Sequence, residues 1–242
     1  MVRQHVNPLS RFYQLPRPLP ALNELFANPE LPLHLDIGSA RGRFLLTLAP
    51  LRPEHNHLGL EIRRPLVSAA EADREAAQLL NLRFLFGNAN VSLPGWLAEL
   101  PPGRLGLVSL QFPDPWFKTR HHKRRVLQPV LLQALAGAMS PGSELFLQSD
   151  VRELIEPMVA LVEGSGCFHR PPADPQPWRF TNPLPVPSER ERHVEGQGLP
   201  VFRVLFARNS AKPPPLDALE AIAEAGATPP ADNPGEQPDD PL

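Results

Sequence analysis

Short apolar runs alternate with segments of helical length along residues 33–208, and this alternation limits the possible folds more than any other feature of the chain. The runs have the length of buried strands; they are LHLDIG, NHLGLEI, LRFLFG, RLGLVSLQF, SELFLQSD and LPVFRVLFAR. Amphipathic or alanine-rich stretches separate them, such as PLVSAAEADREAAQLL, whose Pro65 falls in the first helical turn. Strands that alternate with helices predict an α/β fold with a mostly parallel sheet.

Proline and acidic residues set both ends of the chain apart from this central segment. Residues 1–31 contain five prolines and predict an irregular arm with one short amphipathic turn around Leu22 to Phe26. Residues 209–242 contain seven acids and a single base and predict a disordered, acidic, proline-rich tail. The folded domain is therefore expected over residues 32–208, with an extended loop at 171–187, where seven prolines occur.

The charge of the chain is unevenly distributed, which bears on its partners. The net charge of the 242 residues is -2, but without the acidic tail it is +4, and a local basic patch matters more for phosphate binding than the sum. The single cysteine, Cys167, cannot form an intrachain disulfide, which favours the cytoplasm. No apolar run approaches the ~20 residues that span a membrane. We predict no membrane partner and no stable protein partner, and either a monomer or a homodimer.

Two glycines follow the first predicted strand, in the segment DIGSARG at residues 36–42. Glycine lets a backbone turn tightly and approach a ligand, so Gly38 and Gly42 are candidate cofactor-binding positions at the carboxyl end of the sheet. The Gly-x-Gly-x-x-Gly spacing of a dinucleotide site is absent, and so is the P-loop pattern of an ATP site. The alternative is that both glycines serve only a turn and that Asp36 caps a helix.

Polar side chains at the ends of the first three predicted strands favour one cofactor. Glu61 ends the second strand, where a carboxylate commonly accepts hydrogen bonds from ribose hydroxyls, and Asn88 follows the third, where it can face an adenine edge. Asp36 would repel a pyrophosphate but attract an ammonium or a sulfonium group. S-adenosylmethionine carries both cationic groups, a ribose and an adenine without phosphate, and is therefore the predicted cofactor.

A dense basic run follows the fourth predicted strand, in QFPDPWFKTRHHKRRVL at residues 111–127. Pro113 and Pro115 fix the backbone on both sides of Asp114, which we expect to project over the bound cofactor. Trp116 either stacks on a ligand or packs against the loop. A solvated helix start would explain the charges but not the rigid Pro-Asp-Pro-Trp before them. The candidate phosphate contacts are Lys118, Arg120, His121, Arg124 and Arg125.

The adjacent histidines His121 and His122 do not predict a metal site. Neighbouring side chains point in different directions, and no cysteine or close acidic pattern completes a ligand set. Phosphate contact or loop packing is the preferred interpretation.

Four segments of the chain, found in the same order, resemble motifs of the bacterial tRNA (guanine-N7-)-methyltransferases. FPDPWFKTRHHKRR resembles the signature of this family, LDIGSARGRFL and LGLEI resemble its cofactor motifs, and SERERHVEGQGLPVFR resembles its Thr-x-x-Glu segment and last strand. The resemblance covers about residues 33–208. It implies a Rossmann-like class I methyltransferase fold, with a seven-stranded mostly parallel sheet, helices on both faces and an antiparallel last strand. It also implies methyl transfer from S-adenosylmethionine to a variable-loop guanosine of tRNA.

The resemblance also implies roles for individual residues. Asp114 corresponds to the proposed catalytic residue of the family. The cofactor-contacting positions are Asp36, Glu61, Asn88 and Asp114, and the substrate-contacting positions are Lys118, Asp150, Ser188, Glu189, Arg190 and Glu191. Asp150 has the alternative interpretation of a helix cap.

This sequence departs from the family pattern at three positions, and two other functions remain open. Ser188 stands where the family usually has threonine, Asn88 where aspartate is common, and Phe117 where relatives have proline or histidine. The first alternative function is methyl transfer to a protein or a small molecule, which would not require the basic run. The second is a catalytically inactive relative that binds RNA.

Overall fold

The computed structural model describes residues 6–116, 119–172, 174 and 176–227. Seven strands form a single sheet in the order β3-β2-β1-β4-β5-β7-β6. Their bounds are β1 Leu33–Ile37, β2 Asn56–Glu61, β3 Leu82–Phe86, β4 Leu105–Gln111, β5 Met139–Ser149, β6 Phe168–His169 and β7 Phe202–Arg208. β1 to β5 pair in parallel, whereas β7 runs antiparallel to both β5 and β6. The predicted fold class is confirmed, including the antiparallel last strand.

Eight α-helices occur in the part of the chain that the structure describes. They are α1 Leu22–Leu25, α2 Arg43–Leu48, α3 Arg64–Ala76, α4 Ala89–Ala98, α5 Pro129–Ala138, α6 Arg152–Gly164, α7 Glu189–Gly196 and α8 Leu216–Ala227. Two 3₁₀ turns, at Ala49–Leu51 and Thr119–Arg124, lie between them. Among residues 6–116, 119–172, 174 and 176–227, no helix is both long and apolar enough to cross a bilayer.

Alternating side chains of the strands divide the core between the two faces of the sheet. In β4, Val108 and Leu110 belong to the larger cluster, which includes residues of α4, α5, α6 and α8, whereas Leu107 belongs to the smaller cluster with residues of α2 and α3. Polar side chains of β1, β2 and β4 share the face of the smaller cluster, at the alternate positions His34, Asp36, His57 and Ser109. The sheet therefore carries a buried polar row that ends at the site described below.

Part of the expected tail is ordered, which corrects the sequence interpretation. Residues Leu216–Ala227 form α8, which packs against α5 and α6. Leu219 is fully buried and Ile222 packs beside it, because their spacing places both on one face of the helix. This short apolar stripe outweighs the proline and acid content of the surrounding sequence, and residues 228–242 lie outside the described part.

Candidate active site

The carboxyl ends of the parallel strands open onto a cleft of about 730 Å³, called the first cleft below. The cleft is lined by Ile37 and Gly38 at the end of β1, Leu60 to Arg63 at the end of β2, Gly87 to Asn90 after β3, and Phe112, Pro113, Asp114 and Trp116 after β4, together with Val6, Pro8, Arg124 and Val126. Four strand ends thus contribute to one pocket, as expected for an open α/β sheet.

A second cleft, of about 650 Å³, adjoins the first and is more polar. Its lining includes Asp36, Arg41, Arg43, Gln111 and the start of α7 from Ser188 to Arg190. The two clefts share four lining residues, which are Gly38, Arg63, Phe112 and Asp114. Asp114 therefore lies where the two clefts meet.

The two glycines of the first loop have different structural roles. Gly38 has a φ of +84° and open space where a side chain would begin, and it lines both clefts. Gly42 also has a positive φ, +71°, but a Cβ there would lie 2.3 Å from the ring of Phe84. Gly42 lies outside the lining of both clefts, and it permits the close approach of α2 to β3.

Glu61 is buried at the end of β2 and holds the loop that follows β1. Its carboxylate accepts hydrogen bonds from the backbone N–H of Ala40 and of Arg63, both at 2.9 Å. It also accepts from the Arg63 side chain, through Nε at 2.8 Å and Nη2 at 3.2 Å. A carboxylate offers about four acceptor sites, so a ribose hydroxyl can bind Glu61 only when the guanidinium withdraws.

Arg63 also interacts electrostatically with a second acid, Asp114. Burial alone would lower the pKa of Arg63, but the hydrogen bonds and charge of Glu61, together with the charge of Asp114, raise it above its ordinary value. The guanidinium therefore lies in the field of both carboxylates, in a position where a cationic ligand would be favoured.

Asp36 is 4% exposed and lies within the buried polar row. Its Oδ1 accepts hydrogen bonds from Ser109 Oγ at 2.6 Å and from Gln111 Nε2 at 3.3 Å. His34 Nε2 contacts the same Ser109 hydroxyl at 2.7 Å. Burial raises the pKa of Asp36 to about 6, while the two hydrogen bonds oppose this shift and the charge of Glu61 adds to it. Asp36 lines the second cleft, not the first.

Asn88 is the N-cap of α4, and its amide is fully engaged by the protein itself. Oδ1 accepts from the backbone N–H of Asn90 at 3.2 Å. Nδ2 donates to the carbonyl oxygens of Pro8 at 3.1 Å and Tyr13 at 3.2 Å. Asn88 therefore connects the first cleft to the N-terminal arm.

Some side chains of the basic run after β4 pack against the protein, and Arg124 lines the first cleft. The guanidinium of Arg124 stacks 4.9 Å above the ring of Trp116, and His121 meets this ring edge-on at 5.6 Å. Arg125 is half-buried, its Nε donates to the carbonyl of Trp116 at 3.4 Å, and burial lowers its pKa. Lys118 and the side chain of Arg120 lie outside the described part of the chain.

The predicted substrate segment forms the first turn of α7. Ser188 is the N-cap, and its side chain accepts from the N–H of Glu191. Arg190 pairs with Asp150, and Arg43 Nη1 donates to Glu189 at 2.9 Å. The alternative interpretation of Asp150 as a helix cap is wrong, because Val151 occupies the N-cap of α6.

Glu191 is buried and lies outside the lining of the second cleft. Its carboxylate accepts from Arg203 Nε at 3.0 Å and Nη2 at 2.7 Å. It also accepts from Gln148 Nε2 at 3.2 Å and Asn182 Nδ2 at 2.7 Å. In this structure Glu191 anchors α7 to β5, β7 and the preceding loop.

Several site residues were not found by sequence reasoning. These are Arg63, Ser109, Gln111, Arg41, Arg43 and the arm residues Val6 and Pro8. Ser109 and Gln111 could have been found, because they alternate with the apolar residues of β4 near its carboxyl end. The sequence of the arm does not indicate that Val6 and Pro8 line the cleft. Among the described residues, no group of three histidines, cysteines or acids could hold a metal ion.

The sheet order and the acid-lined cleft at the strand ends define a class I methyltransferase. Residues 30–204 match the family model described as "Putative methyltransferase". The solved structure of the 16S rRNA methyltransferase KamB aligns with a TM-score of 0.52 at 16% identity, over 78% of this chain and 91% of that chain, and this likeness concerns the fold alone.

Sequence relatives make the assignment more specific. The tRNA (guanine-N(7)-)-methyltransferase of Synechococcus sp. (strain CC9311) is 66% identical over 219 residues, or 90% of this chain and 92% of that protein. The protein of the same name from Prochlorococcus marinus (strain MIT 9303) is 62% identical over 236 residues, or 98% of both. The chain belongs to the tRNA (guanine-N7-)-methyltransferase family, which confirms the resemblance seen in its motifs.

Proposed function

We propose that this protein transfers a methyl group from S-adenosylmethionine to the N7 nitrogen of a variable-loop guanosine in tRNA, which gives 7-methylguanosine. The position of Asp114 at the junction of the two clefts is the observation that supports this function best. The expected place of action is the cytoplasm, where tRNA is the substrate.

The residues of the first cleft fit S-adenosylmethionine. Glu61 and Asp114 line the cleft, Asp36 lies beside it, and Arg63 already places a positive charge in their field. Such a set of carboxylates favours a cationic ligand and disfavours a pyrophosphate. We assign Glu61 to the ribose hydroxyls, after displacement of Arg63, and Asp36 to the ammonium group. Gly38 leaves room for the ligand to approach the backbone.

The second cleft suits a nucleotide of an RNA. Arg41, Arg43 and Arg190 line it beside the acids, and guanidinium groups bind phosphates and stack on bases. Ser188 and the N-terminus of α7 add a hydroxyl and backbone donors to the same wall. We assign this cleft to the target guanosine, with Lys118, Arg120, His121 and Arg124 on the side of the RNA backbone.

The chemistry of the reaction explains why a fixed acid is sufficient. Bound S-adenosylmethionine supplies an electrophilic methyl group on a cationic sulfur. Guanine N7 carries an in-plane lone pair and no proton, so the protein need not provide a base. Its tasks are positioning and electrostatic stabilisation. Asp114, between Pro113 and Pro115, holds the guanine donors or stabilises the purine as positive charge moves onto it.

A tRNA methylation assay tests this proposal. With labelled S-adenosylmethionine and bulk tRNA, we expect 7-methylguanosine after nuclease digestion. Asp114→Asn keeps the size of the side chain but removes its charge, and we expect turnover to fall by at least 100-fold with little change in tRNA affinity. Asp73→Asn, at an exposed position of α3, is the matched control and should retain activity.

Other outcomes would contradict the proposal. Unlabelled tRNA together with a labelled protein or small metabolite would favour a methyltransferase of another substrate class. Binding of tRNA without methylation of any substrate would favour an inactive RNA-binding relative. Undiminished turnover by Asp114→Asn would remove Asp114 from the mechanism.

A further inference from the structure

The N-terminal arm contributes two residues to the lining of the first cleft. Val6 and Pro8 are part of the cleft lining, next to Asn88 and Ala89. The arm is folded on itself here, because the N–H of Ser10 donates to Asn7 at 3.1 Å, and the N–H groups of Tyr13 and Gln14 donate to Ser10 at 2.9 and 3.1 Å. This part of the arm is therefore a hydrogen-bonded turn that lies against the cleft.

The side chain of Asn88 joins this turn to the start of α4 by hydrogen bonds. The two amide protons of Asn88 go to the carbonyl oxygens of Pro8 and Tyr13, and its oxygen caps α4 through Asn90. Only an amide supplies two donors and an acceptor at one position. A carboxylate of the same shape would cap the helix equally well but would repel both carbonyl oxygens.

Aromatic contacts hold the same turn at a second place. The ring of Phe12 lies 5.0 Å from that of Tyr13 and 6.2 Å from that of Phe86, the last residue of β3. Arg17 stacks on Phe12 at 5.0 Å, and Arg64 stacks on Phe86 at 4.4 Å. These contacts involve neither Asn88 nor the cleft, so they fix the turn independently.

We propose that arm residues 6–13 form a wall of the cofactor site, and that Asn88 is the positioning residue that holds this wall in place. The inference rests on the proposed function, which assigns the first cleft to S-adenosylmethionine. Val6 and Pro8 contribute apolar surface beside Asn88 to the adenosine part of the ligand. Asn88 acts through the arm, since its oxygen faces the N–H of Asn90 and both of its protons face arm carbonyls.

The substitution Asn88→Asp separates the two tasks of this residue. It keeps the helix cap and removes both donors to the arm. In the full-length protein, we expect the Kd of S-adenosylhomocysteine, measured by calorimetry, to rise about tenfold, as for the loss of two neutral hydrogen bonds. Amide hydrogen exchange at Tyr13 and Gln14 should become faster at the same time, while exchange in α4 stays slow.

Two further variants complete the experiment. Phe12→Ala loosens the arm at its other attachment and leaves Asn88 intact. Like Asn88→Asp, it should raise both the Kd of S-adenosylhomocysteine and the amide exchange rate of the arm. Leu15→Ala changes an exposed side chain of the same arm, which lies outside the lining of the cleft, and should alter neither value.

The outcomes distinguish this inference from the proposed function. If the unchanged protein binds neither S-adenosylhomocysteine nor S-adenosylmethionine, the proposed function fails. If it binds and Asn88→Asp binds equally well, the arm is not a wall of the site. If Asn88→Asp binds more weakly while the arm amides stay protected, Asn88 contacts the ligand directly and the inference is overturned.

Discussion

At the scale of single residues, the site is governed by acids whose charges are compensated in different ways. Glu61 is saturated by backbone donors and Arg63, whereas Asp36 receives only neutral donors. Burial raises the pKa of Asp36 to about 6, and its two neutral donors oppose this shift only in part. In the fold, the charged form of Asp36 is disfavoured, so its contribution to stability is most favourable below the ordinary value of 3.8 and declines as the pH rises to about 6.

A cation bound beside Asp36 should reverse this preference, which gives a pH-dependent affinity. Because binding favours the carboxylate, the affinity for S-adenosylmethionine should increase as the pH rises through about 6. We expect the Kd, measured by calorimetry, to be about tenfold higher at one pH unit below that pKa than well above it. Below that pKa, binding of the ligand should also release a proton from Asp36. Asp36→Asn should bind more weakly at every pH without this slope; an equal slope in the variant would assign the titration to another group.

At the scale of secondary-structure elements, a buried polar row links α7 to the cofactor side of the sheet. Gln148 Nε2 donates to Gln111 Oε1 at 2.7 Å, and Gln111 in turn donates to Asp36. The same Nε2 lies 3.2 Å from Glu191, which is 1% exposed, and Glu191 pairs with Arg203, which is 4% exposed. The contacts of Glu191 with Gln148 and Arg203 thus hold the first turn of α7, which carries Ser188 and Arg190, at the wall of the second cleft.

Removal of the charge of Glu191 should therefore destabilise the fold. Glu191→Gln leaves Arg203 with only Glu195 among its acidic partners in the described structure, and Glu195 is half exposed. Loss of one partner of a buried ion pair costs about 3–5 kcal/mol, and we expect about 3 kcal/mol by urea denaturation. Glu189→Gln, which breaks a pair of two half-exposed side chains, should cost less than about 1 kcal/mol. Equal stability of both variants would contradict the anchoring role.

The strand ends could be predicted from the sequence, but the contacts between distant segments could not. Hydrophobic periodicity located the ends of β1, β2 and β4, and so placed Asp36, Glu61 and Asp114 near one edge of the sheet. The pairing of Arg63 with Glu61, or of Asn88 with the arm, depends on side-chain geometry that no periodicity encodes. Composition misled the interpretation of α8, where a few apolar residues at helical spacing decide the structure.

At the scale of the whole molecule, the surplus of acid lies in residues 209–242, and the rest of the chain carries a net charge of +4. Arg41 and Lys123 are both exposed, and Arg41 lines the second cleft. Arg125 belongs to the same basic run but is half-buried against the carbonyl of Trp116. Charge that remains at the surface should contribute to the binding of a polyanion, whereas charge that is packed inside should contribute mainly to the fold.

The salt dependence of tRNA binding distinguishes these two groups. Each lysine or arginine that neutralises a phosphate releases a counterion, so Arg41→Ala and Lys123→Ala should each reduce the slope of log K against log salt by about one. Arg125→Ala should leave the slope unchanged and lower the melting temperature instead, because it removes a packed side chain. Fluorescence titration of labelled tRNA over a range of salt concentrations gives the slope. If Arg125→Ala reduces the slope while Arg41→Ala does not, the RNA follows a path other than the one across the second cleft.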